Sequence, residues 1–198
     1  MGANDGSGAW LIAAKMALRQ ERQLLKAIRA GSREACAEVV RRHYGRIYGF
    51  LLHLSGQVST AEDLTQETFA AAWANIGSFR GRASFATWLH RIAYGKFIDF
   101  KRRSKRGQAV AEQLRHGQSS PTGLRSPLDE VIAEEHSRRI YAAVGELEPA
   151  DREVIVLHYF QGLSFKQMGT VLDEPVGTVK WRTSQALGRL KVTLDGRV

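Results

Sequence analysis

Leu163-Ser164-Phe165-Lys166-Gln167-Met168, followed by Asp173-Glu174-Pro175-Val176-Gly177-Thr178-Val179-Lys180, reads as two helices parted by a tight break. Ser164 and Gln167 stand at the spacing at which a cap hydroxyl and a third-position amide satisfy each other's free backbone N–H groups. The first helix runs to Leu172. Pro175 suits the first turn of the second, where its missing N–H has no helical partner to lose. A short helix, a break and a longer basic helix form a helix-turn-helix, which lays its second helix in the major groove of DNA. Thr178, Lys180, Trp181, Arg182, Ser184 and Gln185 occupy the reading portion of that helix, with Arg189 and Lys191 beyond. Arg pairs bidentately with guanine and Gln with adenine. The competing reading is an ordinary helical hairpin with a solvated basic face.

Working outward, helical periodicity covers roughly 10–30, 32–55, 60–76, 84–105, 127–146, 149–160, 165–172 and 175–192, and no stretch alternates as a strand does. Between Gly107 and Ser126 the chain turns to Gln, Gly, Ser and Pro, a linker composition. Ser126-Pro127-Leu128-Asp129 then opens a helix with a cap, a first-turn proline and a carboxylate at the positive end of the dipole. Leu128, Val131, Ile132, Ile140, Val144 and Leu147 are its expected core residues. The predicted architecture is all-α: two small helical domains joined by a flexible linker, the C-terminal one a helix-turn-helix. The boundaries are an extension over 1–20, a domain over 21–106, the linker over 107–126 and a domain over 127–198.

Across 198 residues, 29 Lys and Arg outweigh 20 Asp and Glu, for a net +9. A hydrophobic share of 43% sets the chain apart from a disordered polybasic tail. The charge is segregated. Residues 57–79 carry −3 and residues 80–106 carry +8, while 128–175 carry −6 and 176–198 carry +4. Two basic blocks, each behind an acidic one, suggest two nucleic-acid contacts. The single cysteine, Cys36, excludes an internal disulfide framework, and core packing is its expected role. No Cys/His cluster has zinc spacing, and no metal or other cofactor is expected. Met1 to Trp10 lacks a basic leader, and charges interrupt every apolar run, so the expectation is a cytoplasmic protein without membrane insertion.

On the helix after Ser59-Thr60, a 100° step gathers Leu64, Thr68, Phe69, Ala72, Trp73 and Ile76 on one face and Asp63, Gln66, Glu67 and Ala70 on the other. An acidic stripe on a DNA-binding chain serves either solubility or docking on a cationic protein. The helix after Ser84 carries Phe85, Trp88, Leu89, Ile92, Tyr94, Phe97 and Phe100, then Lys101-Arg102-Arg103-Ser104-Lys105-Arg106. Aromatics beside dense cationic charge suit a single strand, which stacks on rings while cations follow its backbone. Most of these aromatics are nevertheless expected in the core.

Together these motifs resemble bacterial sigma factors. Ala61-Glu62-Asp63-Leu64-Thr65-Gln66-Glu67-Thr68-Phe69, Phe79-Arg80-Gly81 and Thr87-Trp88-Leu89-His90-Arg91-Ile92-Ala93 are similar to the promoter-melting domain of that family. Glu148-Pro149, Arg152-Glu153-Val154, Gly162-Leu163-Ser164 and Pro175 to Lys180 are similar to its C-terminal helix-turn-helix. With only these two domains the chain resembles the extracytoplasmic-function group of the sigma-70 family. The resemblance implies that Asp63, Gln66 and Glu67 dock on core RNA polymerase. It implies further that Phe79, Arg80, Arg82, Trp88, Arg91, Tyr94, Lys96, Lys101, Arg102 and Arg103 meet the −10 element and the melted strand, and that the helix from Pro175 to about Lys191 reads the −35 element. Core polymerase, promoter DNA and an anti-sigma protein are the partners it implies. The chain departs from the family at Gly95, often Asn, at Trp181, usually Ser, at Gln185, often basic, and at Cys36, commonly a large apolar residue.

The implied protein performs no covalent chemistry; it positions polymerase and captures unstacked bases. A flexible 20-residue linker spans roughly 25 Å on average and about 70 Å at most. Promoter elements about 20 base pairs apart lie roughly 70 Å apart, so each folded domain must add reach. The same linker lets the domains close on one another and hide their working surfaces. The runner-up is a helix-turn-helix regulator acting on duplex DNA without polymerase, which leaves the acidic stripe and the aromatic basic helix unexplained. A nucleic-acid enzyme is a third reading, but His43, His53, His90, His116, His136 and His158 are scattered and no carboxylate set has acid–base spacing.

Overall fold

The computed structural model describes residues 6–112 and 135–195. Within them the chain forms α1 (Gly6–Arg29), α2 (Arg33–Ser55), α3 (Val58–Ala74), a 3-10 turn (Ile76–Ser78), α4 (Phe85–Glu112), α5 (Glu135–Glu146), α6 (Pro149–Ile155), a π-helical turn (Val156–Phe160), α7 (Phe165–Leu172) and α8 (Val176–Asp195). No strand occurs among the described residues. The all-α expectation holds, with one bundle of α1–α4 and a second of α5–α8. Most of the expected linker, and the helix start at Ser126-Pro127, lie outside the described residues, as do Leu128, Val131 and Ile132.

Local chemistry sets the ends of these helices. Ser32 caps α2, its hydroxyl accepting from the Ala35 N–H at 3.2 Å. At the start of α4 the Thr87 N–H donates to the Ser84 hydroxyl at 3.1 Å. The α7 capping box is complete: the Gln167 N–H donates to the Ser164 hydroxyl at 3.3 Å and the Ser164 N–H to the Gln167 amide at 2.8 Å. Pro175 sits just before α8 and its carbonyl accepts from the Val179 N–H at 3.1 Å. Three details differ from the sequence expectation. Helix α3 starts at Val58 with Gln57 at its cap, ahead of the Ser59-Thr60 pair. Helix α4 continues to Glu112, past Gly107 where the linker composition begins. The helix expected over 149–160 widens at its end, where the Gln161 N–H reaches back five residues to the Val156 carbonyl at 3.0 Å. Gly162, at φ +66°, then reverses the chain, and the Leu163 N–H closes on the Leu157 carbonyl at 3.0 Å.

In the first bundle Val39, Ile47, Phe50 and Leu51 of α2 pack against Leu64, Phe69 and Ala72 of α3 and Phe85, Leu89 and Phe97 of α4. The second bundle is built on Val144 and Leu147 of α5, Val154 and Ile155 of α6, Met168 and Val171 of α7, and Val179, Ala186 and Leu190 of α8. Ile140, expected in this core, is exposed instead, since Ala143, Val144 and Leu147 form the buried stripe of α5. The bundles also pack directly on each other, through α2 and α4 on one side and the π-helical turn and α7 on the other.

The break of the helix-turn-helix has its own steric condition. Asp173 adopts a left-handed conformation, φ 59°, and its N–H returns to the Gly169 carbonyl. A Cβ on Gly169 would stand 2.7 Å from the Glu174 carbonyl oxygen, and that neighbour is backbone that cannot swing aside. Gly169→Ala is therefore expected to destabilise the protein by about 1–3 kcal/mol, read as a lower midpoint of chemical unfolding.

Candidate functional site

Helix α3 turns Glu62, Asp63 and Gln66 to solvent, while Leu64, Thr65, Thr68 and Phe69 are buried beneath them. Glu67 differs from the rest of the strip. Its carboxylate lies 3.3 Å from Lys96 Nζ and 3.8 Å from the Arg103 guanidinium, both on α4. With its side chain 40% exposed, this pairing is weak and screened by salt. It nevertheless places one carboxylate between the acidic strip and the basic helix.

Beyond the 3-10 turn, Phe79 is half-buried in an aromatic cluster, 5.5 Å from the Phe85 ring and 5.3 Å from that of Trp88. Its carbonyl accepts from the Arg29 guanidinium at 2.7 Å. Arg80 and Arg82 are exposed on the loop that follows. Lys101 stands 5.5 Å over the Phe97 ring, Arg102 is loosely paired with Asp99 at 3.9 Å, and the end of α4 presents its cations outward. Gly95 is exposed.

Arg91 and Tyr94 do something else: they meet the second bundle. The Arg91 guanidinium donates to the Thr170 carbonyl at 3.2 Å and to Asp173 at 3.3 Å. The Tyr94 hydroxyl donates to Glu153 at 3.0 Å. Burial and the neighbouring Glu153 push the Tyr94 phenol above its ordinary range, so the hydroxyl stays protonated and remains a donor. Nearby, His90 Nδ1 faces the Ala86 carbonyl at 2.8 Å and Nε2 the Gln161 amide at 3.3 Å, while Arg46 donates to the Gln161 carbonyl. The rings of His53 and Phe160 lie 4.6 Å apart. Periodicity did not single out Arg46, His53, His90, Glu153 or Gln161.

On α8, Val179, Thr183, Ala186 and Leu190 form the buried stripe, and Thr178, Lys180, Trp181, Ser184 and Gln185 project outward. Trp181 is 64% exposed. Arg189 is exposed and pairs with Asp151, and Lys180 stands 5.9 Å over the Phe165 ring. Arg182 is the exception. Only 15% exposed, it pairs with Glu174 and with Glu153 at 3.4 Å, and donates to the Ala150 carbonyl at 2.7 Å. It braces α8 against α6 and the turn. Among the described residues no group of His, Cys, Asp and Glu could hold a metal ion, and no helix is long and apolar enough to cross a membrane.

Two families match this chain: Sigma-70 region 2 over residues 39–107 and Sigma-70, region 4 over residues 137–190. The ECF RNA polymerase sigma factor SigW of Bacillus subtilis is 33% identical over 177 residues, covering 86% of this chain and 94% of its own. This chain belongs to the extracytoplasmic-function group of sigma-70 factors. RNA polymerase sigma-H factor of Pseudomonas aeruginosa is 28% identical, covering 84% of this chain and 90% of its own. Among solved structures, CnrH in complex with the cytosolic domain of CnrY aligns with a TM-score of 0.67 at 25% identity, over 90% of this chain and 99% of that one. The sigma factor RpoE of Bartonella quintana, in complex with the anti-sigma factor NepR, aligns at 0.65 and 25% identity, over 80% of this chain and 96% of that one. The protein is thus an alternative sigma factor, serving core RNA polymerase at promoters in transcription initiation. The duplex-only regulator is not favoured.

Two outcomes follow from this geometry. Removing Arg182 leaves the nearly buried Glu153 without its cation, so Arg182→Ala should lower stability by about 3–5 kcal/mol, whereas Lys180→Ala should leave the unfolding midpoint close to wild type. His43 is half-buried against Phe85, with Glu21 3.8 Å from its Nε2, and burial, aided by Arg46, His90 and Arg42, lowers its pKa to about 4. Its folded pKa lies below the ordinary value of 6.5, so the unfolded chain takes up the proton first. Stability is intact above about pH 6.5 and falls as pH drops toward 4. Chemical unfolding of wild type and His43→Gln across that range should show the smaller pH dependence in the variant.

Proposed function

We propose that the sigma factor divides its work by charge along the chain. The α3 strip, led by Asp63 with Gln66 and Glu67, docks on a cationic surface of core RNA polymerase. The loop 77–84, with Phe79, Arg80 and Arg82, and the helix it leads into, with Trp88, Arg91 and Tyr94, receive an unstacked base of the −10 element. Lys96, Lys101, Arg102 and Arg103 carry the phosphates of the separated strand. Thr178, Lys180, Trp181, Ser184, Gln185 and Arg189 face the −35 duplex, and Arg182 keeps their helix in place. The two working domains are 21–106 and 127–198, with 107–126 between them. The protein carries out no catalysis of its own and acts in the cytoplasm.

The observation that carries this reading is the sorting of exposed charge. Anionic side chains gather on α3, where DNA would be repelled, and cationic ones on the end of α4 and the outer face of α8. Unstacking a base costs a few kcal/mol, and stacking on a protein ring returns about 1–3 kcal/mol per base. Because Arg91 and Tyr94 are engaged by the second bundle, promoter binding requires the two bundles to part. An anti-sigma protein that grips the closed arrangement would hold those groups away from DNA; the similar RpoE is solved in complex with the anti-sigma factor NepR.

Co-purification with bacterial core polymerase tests the docking strip. Asp63 is exposed on α3, so Asp63→Lys should abolish or sharply weaken capture while the thermal midpoint stays put; equal capture would move the interface elsewhere. In transcription from a cognate promoter, Lys180→Ala should cost about 1–3 kcal/mol of upstream-element discrimination, and an unchanged promoter preference would displace the reading helix.

A further inference from the structure

Helix α8 carries a single aromatic ring, and the ring stands where the helix is otherwise bare. Val179, Thr183, Ala186 and Leu190 are buried, and at about 100° per residue Gly177, Trp181 and Gly188 fall on the line opposite them. Both glycines have open space around them. Trp181, between them, is 64% exposed, with Ser184 and Gln185 exposed beside it. The flanks are cationic: Lys180, Arg189 and Lys191 are exposed, and from Val176 to Leu194 the chain carries no carboxylate. Nor is the helix free to roll. The buried stripe holds it from below, and Arg182 ties it to Glu174, Glu153 and the Ala150 carbonyl. The indole therefore projects from a braced helix, between two positions that have no side chain.

We propose that Trp181 is a specificity-determining residue that reads the C5-methyl group of a thymine in the upstream promoter element. In a duplex the base faces are covered, and only base edges reach the major groove. An indole brings to such an edge an apolar body and one N–H donor, and it accepts nothing. Thymine alone presents the complement, a methyl group beside the O4 acceptor. Adenine and guanine offer acceptors without an apolar group, and cytosine offers a donor. The bare backbone at Gly177 and Gly188 lets the helix come close on both sides of the ring, while the flanking cations take phosphates and fix its register. The serine that the family usually carries at this position has no such apolar plane, so the preference is this chain's own. This rests on the proposed reading of the −35 duplex by α8, and names what one of its side chains reads.

Holoenzyme reconstituted with wild type, Trp181→Ser, Trp181→Phe or Lys180→Ala is used to select bound duplexes from promoter fragments randomised over the upstream element. Each thymine of the wild-type selection is then replaced singly by deoxyuridine, which keeps O4 and removes only the methyl group. At the position that Trp181 reads, the replacement should weaken wild-type binding about fourfold, the effect of returning one buried methyl group to water. Trp181→Ser should bind thymine and deoxyuridine there equally and should lose that thymine from its own selection. Trp181→Phe should keep part of the difference. A wild type indifferent to deoxyuridine at every position, or a Trp181→Ser holoenzyme as sensitive to it as wild type, would overturn the proposal. Loss of core capture by Trp181→Ser would overturn it too, by giving the ring to a protein surface. If Lys180→Ala relaxes the selected element in those cases, α8 still reads the duplex and only the role of Trp181 falls; if Lys180→Ala selects the same element, the reading by α8 itself fails.

Discussion

Helix α4 has to satisfy two cores at once, and most of the arrangement follows from that. Phe85, Leu89 and Phe97 are buried in the first bundle, while His90 and Tyr94 are turned toward the second. A helix with apolar residues on one side and polar ones on the other normally leaves the polar side to water. Here that side meets Gln161, Glu153, Thr170 and Asp173, so its polar groups are matched by partners. Such a contact is specific without being greasy. It resembles the more polar interfaces between domains that part and rejoin, as opposed to the core of a single domain.

The second bundle depends in a similar way on Arg182. If α8 reads DNA as proposed, it must keep its outer face open, and it is anchored through the stripe Val179, Thr183, Ala186 and Leu190 and through what its flank can reach. The guanidinium reaches Glu174 in the turn, Glu153 in α6 and the Ala150 carbonyl. Glu153 also accepts from Tyr94. One carboxylate therefore belongs both to the scaffold that holds α8 and to the contact between bundles, so the orientation of α8 and that contact are not independent.

Much of this was legible in the sequence, because the signals were local. The Ser164–Gln167 box, the start of α4 after Ser84 and the apolar spacing of α3 each depend on residues within one or two turns, and each appears where the spacing puts it. What was not legible depends on residues far apart in the chain. Arg182 reads as one more basic residue on a basic helix until Glu153 comes within reach, 29 positions earlier. His90 and Gln161, 71 positions apart, have no pattern that joins them. The widening at Val156–Phe160 likewise answers to the reversal at Gly162 and to the packing of Phe160 on His53, neither of which changes the helical period. The same limit applies to Glu67: helical geometry placed it correctly on α3 but could not show the α4 cations beside it.

That last placement has a thermodynamic corollary. Glu67 is shared between the anionic strip of α3, proposed to dock on protein, and the cations of α4, proposed to meet nucleic acid. A partner cation that claims the carboxylate leaves Lys96 and Arg103 with uncompensated charge, which strengthens their hold on phosphate. A phosphate that claims those two cations in turn leaves Glu67 freer for its protein partner. Linkage makes the two effects equal in size. If the two surfaces work as proposed, they are coupled positively through this side chain, weakly, and with an amplitude that fades as salt rises.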